Sequence, residues 1–306
     1  MNDRATRKIE VNALTRVEGE GALRVEVDHG KVSNVSLAIY EPPRFFEALL
    51  VDRPLEDVPD ITARICGICP VAYQNTSIIA LERALGIDVP TEISALRRLL
   101  YCAEWIESHG VHMHLLSIPD FFGYPNSIEL AKEYPAEVER GLRLKKHGNE
   151  LLEVLGGRAV HPINVAVGGF HRAPSRERLR ALLDDFRWGR EASIEVVKWV
   201  SQFDFPDFKQ PYEMVALRHE SEYPMNHGRV ASTQGLDLAS DDYETFFREV
   251  HVEHSTALHS MRVPGQTCYH VGPLARVNLN RDMLSETALQ LSEDVGVRWP
   301  CFNPYQ

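Results

Sequence analysis

The sequence has no apolar run near the roughly 20 residues that a membrane-spanning helix needs, so a helical span is excluded. Cysteine is scarce: there are five, an odd number without regular spacing. That excludes a disulfide framework and fits free thiols in a reducing compartment. Positive charge is in deficit too, with 33 Lys and Arg against 44 Asp and Glu and a net charge of −11. Phosphate backbones need a basic surface, so a nucleic-acid partner is excluded. Met1 to Lys8 is polar and lacks the apolar stretch of a secretory signal. No repeat or low-complexity tract is present. The expectation is a soluble, cytoplasmic protein, and 306 residues with 44% hydrophobic content can bury one core.

What is there centres on Arg64-Ile65-Cys66-Gly67-Ile68-Cys69-Pro70, which holds two of the five cysteines. The glycine between them allows a tight backbone that turns both sulfurs to one centre. Thiolates are soft ligands suited to zinc, copper, nickel or iron. Arg64 is expected to favour the ionised thiols, and Pro70 to open a helix whose positive end lies at Cys69. By itself the pair also reads as a redox motif or as half a zinc site.

Around it, residues 22–40 read as a hairpin: Leu23, Val25 and Val27 alternate with polar residues, His29-Gly30 turns, and Val35, Leu37 and Ile39 alternate again. Glu18, between two glycines, reads locally as a solvated carboxylate, and so does Glu47 among apolar neighbours. Helices are predicted from about Asp57 to Ile65, Val71 to Leu85, Thr91 (as cap) to Ile118, Ala136 to Leu155 and Ser175 to Phe203. His109, His112 and His114 read as packing histidines. Residues 204–240 read as loops with short strands, 241–261 as a helix bearing His251, Glu253, His254 and His259, Tyr269 to Arg276 as a compact loop, and Asn280 to Val295 as a last helix. The architecture expected is α+β: a long-helix bundle with a small N-terminal antiparallel sheet. It forms one domain over 1–306, β-rich over 1–41 and mainly helical over 42–306.

Taken in order, these pieces resemble the large (alpha) subunit of a nickel–iron hydrogenase. The resemblance rests on Arg16-Val17-Glu18-Gly19, the Phe-Glu segment at Glu47, the Cys66 to Cys69 motif, Gly156 to Pro162, Gly168 to Pro174, and Tyr269 to Arg276. The last two segments are most like the cytoplasmic group coupled to NAD(P). The resemblance implies that Cys66 is a terminal nickel ligand and that Cys69 bridges nickel and iron, the iron also carrying carbon monoxide and cyanide. Glu18 would be the catalytic carboxylate that carries protons from the sulfurs, its acidity weakened by burial. Glu47 would bind magnesium or iron at a second site, and Arg64, Arg158 and His161 would stand close to the cofactor. The partners implied are maturation proteins, an iron–sulfur small subunit, and a flavin or NAD(P) diaphorase subunit.

One departure stands out. The family's second cysteine pair, near its C-terminus, has no counterpart here, since Cys102, Cys268 and Cys301 are isolated. The expectation is a chain lacking that C-terminal segment, incomplete as a metal site and poorly soluble alone. Tyr73 stands where many members have histidine, so that histidine's role does not transfer. Two other readings stay open: a metal-free relative of the complex I large subunit with a structural role, and a zinc-binding interaction protein that adds two histidines to the cysteine pair.

Overall fold

The computed structural model describes residues 6–265 and 267–304. The predicted hairpin is part of an antiparallel sheet in the order β1 (Arg7–Val11), β2 (Gly21–Asp28) and β3 (Lys31–Ile39). His29 and Gly30 adopt φ of 50° and 80°, the left-handed pair that a tight hairpin turn requires. This sheet is buried at one end only, at Gly21, Ala22 and Ala38.

Next come α1 (Phe46–Leu50), α2 (Val58–Ala63), α3 (Pro70–Leu85) and α4 (Thr91–Val111). Thr91 does not cap α4; Pro90 holds the cap position without a side-chain bond. The helix then widens into a π-helical turn, His112–Ser117, before α5 (Ile118–Phe121). Pro119 therefore lies in the first turn of α5 and does not end a helix, because its missing N–H would be unpaired there anyway. After α6 (Ser127–Leu130), α7 (Pro135–Gly156) stops at Gly157 with φ 85°.

The main core is where α3, α4 and α7 meet: Val71, Ile78, Leu100, Ala103, Leu151 and Leu155. Glycine lets α4 and α7 approach closely. A Cβ on Gly148 would lie 2.7 Å from Glu107 N and 2.9 Å from Ala103 O.

A short hairpin, β4 (Val165–Ala166) with β5 (Gly169–Phe170), leads to α8 (Arg176–Ala181) and α9 (Leu183–Val200), two helices where the sequence predicts one. The loop-and-strand reading of 204–240 holds: β6 (Val215–Arg218), β7 (Arg229–Ser232) and β8 (Asp237–Leu238) form an antiparallel sheet. The helix predicted over 241–261 is not there. One turn, α10 (Tyr243–Phe246), is followed by a hairpin of β9 (Phe247–Val252) and β10 (Ser255–Arg262). Phe247 packs with Val215, Val230 and Leu238, and burying that face fixes the strand. His251, His254 and His259 thus belong to a hairpin. Helices predominate from Phe46 to Val200, and strands between Val215 and Arg262, a stretch that the sequence predicts as part of a mainly helical region over 42–306.

The predicted loop at Tyr269 to Arg276 runs into α11 (Pro273–Leu279), and the last helix is α12 (Glu286–Asp294). The α+β expectation stands. No helix among the described residues is long and apolar enough to cross a membrane.

Candidate metal centre

Pro70 opens α3, and Cys69 is its N-cap residue, with φ −120° and no side-chain cap. The Cys69 N–H donates to Cys66 Sγ at 3.2 Å, and the two thiols share a hydrogen bond. Both are free; Cys66 is buried and Cys69 half-buried. Gly67 plays a different part from the one expected. It has no left-handed φ, and a Cβ there would meet nothing within 4 Å. It leaves open the cavity of about 440 Å³ that it lines with Glu18, Glu41, Arg44, Cys66 and His161.

Glu18 comes to this cavity from the loop between β1 and β2. The Cys66 thiol donates towards its Oε1 and Oε2 at 3.6 and 3.7 Å. Glu18 is exposed, not buried as the resemblance suggests. Its loop is pinned: Leu14 N–H donates to Gly21 O at 2.8 Å, and Arg16 grips Asp120 with two bonds of 2.7 Å. Gly19 takes a left-handed φ of 87°, which a side chain would strain, and a Cβ there would displace the end of the Glu41 side chain.

The entry to the cysteine loop is clamped from two sides. Arg44 Nη2 donates to Ile65 O at 2.7 Å, and His161 Nδ1 lies 2.7 Å from Ala63 O. His161 is in the left-handed region, φ 50°, where a side chain is strained and persists only when its surroundings hold it. Arg158 Nε donates to His161 O at 2.5 Å and stabilises that turn. Arg64 lines the cavity, but its guanidinium pairs with Asp60 at 3.1 Å. Glu47 is exposed on α1 and does not line the cavity.

The electrostatics reverse one expectation. Burial, then the hydrogen bond and charge of Cys66, push the Cys69 thiol up, with Glu104 and Glu18 adding to the effect. The helix end and Arg64 do not outweigh them. Burial, followed by Cys69 and Cys66, likewise pushes the Tyr73 phenol up. A bound cation inverts this logic, since a coordinating thiol is deprotonated outright.

Glu104, which sequence reasoning missed, is 3% exposed on α4. Its Oε2 accepts the Val71 N–H at 2.7 Å. Burial pushes its carboxyl up to about 7, against the pull of the Val71 and Ala72 N–H groups. The signal was its spacing: it falls one turn after the apolar Leu100, and side chains four apart share a helix face.

The donor set suits a soft metal. The Cys66 thiol opens on the cavity with the Glu18 carboxylate in contact, and the Cys69 thiol stands beside it, hydrogen-bonded to Cys66. Two thiolates make up half of a four-coordinate set. Among the described residues no pair of histidines joins them within ligand reach. The group that does have such spacing, His147, Glu150 and Asp185, is already served by Arg143, whose Nε donates to His147 Nε2 at 3.2 Å. A larger cavity of about 930 Å³ contains no cysteine, and its arginines are paired, Arg218 with Asp282 and Arg229 with Asp237.

A family model described as nickel-dependent hydrogenase matches residues 44–140. The alpha subunit of sulfhydrogenase 1 from Pyrococcus furiosus is 34% identical over 93% of this chain and 67% of its own length. The alpha subunit of sulfhydrogenase 2 from the same organism is 45% identical over 58% of this chain, which spans only 43% of that relative. One subunit of an F420-non-reducing hydrogenase from Methanocaldococcus jannaschii is 34% identical over 90% of this chain and 71% of its own length. Among solved structures, an NAD+-reducing [NiFe]-hydrogenase in the H2-reduced state superposes with a TM-score of 0.81 at 26% identity, over 97% of this chain and 72% of that one. The Ni-Fe-Se hydrogenase of D. vulgaris Hildenborough gives 0.74 at 25%, over 95% and 70%.

Proposed function

Because this chain belongs to the nickel-dependent hydrogenase large-subunit family, we propose that it serves hydrogen oxidation or proton reduction at a nickel–iron centre held in part by Cys66 and Cys69. The observation that carries this reading is the Glu18 carboxylate in contact with the Cys66 thiol at the mouth of a cavity. When bound, the nickel–iron group, its iron carrying carbon monoxide and cyanide, supplies the Lewis-acidic and redox-active centre for heterolytic splitting of hydrogen.

The chain's own residues then handle the proton. Cys66 Sγ can hold it, and Glu18 accepts it across 3.6 Å. Being exposed, Glu18 can pass it to water without a further buried relay. Arg44, Arg158 and His161 hold the loop in place, so the sulfur and the carboxylate stay in register. Arg64 lines the rim with its charge matched by Asp60.

The rest of the reading rests on the family. Electrons would pass first to an iron–sulfur small subunit, then through a flavin subunit to a soluble carrier such as NAD(P). The fold likeness to an NAD+-reducing enzyme supports that choice. Glu47 would hold a magnesium or iron ion, maturation proteins would install the centre, and the assembly would be cytoplasmic.

The test is metal content together with one substitution. Nickel together with iron is expected in the purified assembly, with iron in excess because of the small subunit's clusters, whereas zinc or no metal sinks the proposal. Glu18→Gln should lower hydrogen-dependent dye reduction by about a hundred- to ten-thousandfold with nickel content unchanged.

A further inference from the structure

A helix that starts at a metal ligand has conflicting demands on its first residue. The N-cap side chain ordinarily accepts one of the free N–H groups of the first turn. A cysteine that did so would turn its sulfur away from the metal, and Cys69 makes no such bond. Pro70 brings no N–H, so the first donor left over is Val71.

α4 supplies the missing acceptor: Glu104 Oε2 lies 2.7 Å from Val71 N, in a site where Glu104 is 3% exposed. Burying a carboxylate is costly unless its lone pairs are used. Here no Lys or Arg forms an ion pair with it among the described residues, and its bonds go to the backbone of α3. Arg44 and His161 hold the entry to the cysteine loop by bonding the carbonyls of Ile65 and Ala63. Glu104 holds its exit.

We propose that Glu104 is a positioning residue for Cys69: by capping α3 in place of the cysteine, it leaves the Cys69 sulfur free to face the metal. This rests on the metal-binding reading above. A plain stabilising cap would contribute to folding and nothing more, so the test must separate the two roles.

The probe is Co²⁺ added to the full chain, read by its thiolate charge-transfer absorption. Iodoacetamide labelling of Cys66 and Cys69, quantified by mass spectrometry, provides a metal-free measure. Glu104→Gln keeps an oxygen acceptor and should bind Co²⁺ like the unmodified chain. Glu104→Ala should bind roughly ten- to a hundredfold more weakly and change the labelling ratio of Cys69 to Cys66. Glu104→Asp, which withdraws the oxygen by one methylene, should behave like the alanine variant and serves if that one does not fold. Gly148→Ala, a destabilising change at the α4–α7 contact, should leave both readouts unchanged. Unaltered affinity and labelling in the folded alanine or aspartate variant, or a glutamine variant as impaired as they are, overturns the proposal. Absence of any Cys66- and Cys69-dependent Co²⁺ signal in the unmodified chain would instead overturn the metal reading and this inference with it.

Discussion

Two carboxylates serve the cysteine loop, and burial separates their parts. Glu18 is exposed and touches a sulfur; Glu104 is buried and touches backbone. Burial raises the folded-state pKa of Glu104 from 4.5 to about 7. For an acid raised on folding, the stabilising contribution is complete below the unfolded value and is lost as pH climbs through the folded one. The window is therefore about pH 4.5 to 7, and the loss is of the order of 3 kcal/mol. Urea denaturation of the unmodified chain and of Glu104→Gln, at pH 5 and pH 8, isolates this one group. The glutamine variant should lose less stability on going to pH 8; equal losses would refute the assignment.

At the scale of elements, α3 and α4 are joined by a second buried carboxylate. Arg97 grips Glu82 with two bonds of 2.9 and 2.7 Å, the side chains being only 4% and 6% exposed. The pair reaches further: Glu82 Oε1 accepts the Gly168 N–H at 2.7 Å, and Arg97 Nη2 donates to Ala166 O at 3.1 Å. The β4–β5 hairpin is thereby fastened to α4 and to α3, whose N-cap is Cys69. Removing one partner leaves a charge buried and unpaired, so Arg97→Ala should cost about 3–5 kcal/mol in equilibrium unfolding. A loss near 1 kcal/mol, the value of a surface pair, would show that water reaches the site. The same scale accounts for the misread segment. In β9, Val250 and Val252 alternate with His251 and Glu249, a period of two that the abundance of histidine and glutamate obscured.

At the scale of the molecule, large apolar side chains remain uncovered on and beside α1. Phe45, Leu49, Val51 and Leu55 are 71%, 49%, 67% and 46% exposed along one stretch. Apolar surface gathered in this way drives association. The chain purified without partners should elute above its 34.7 kDa monomer mass in light-scattering chromatography and bind an apolar dye. A monodisperse monomer without dye binding would contradict this.

The sequence by itself settled what is local. The period-two hairpin ending at Ile39, the helix beginning at Pro70 and the CxxC pair before it all depend on neighbours a few positions apart, and backbone sterics decide them. The order of motifs also identified the family. Tertiary structure alone decided which distant groups meet. Glu18 reaches Cys66 because Arg16 ties its loop to Asp120, and His161 reaches Ala63 because α7 returns alongside α4. Glu104 becomes a cap because α4 lays it against the first turn of α3. A carboxylate's burial and partners are set by packing between elements, and that depends on contacts far apart in the chain.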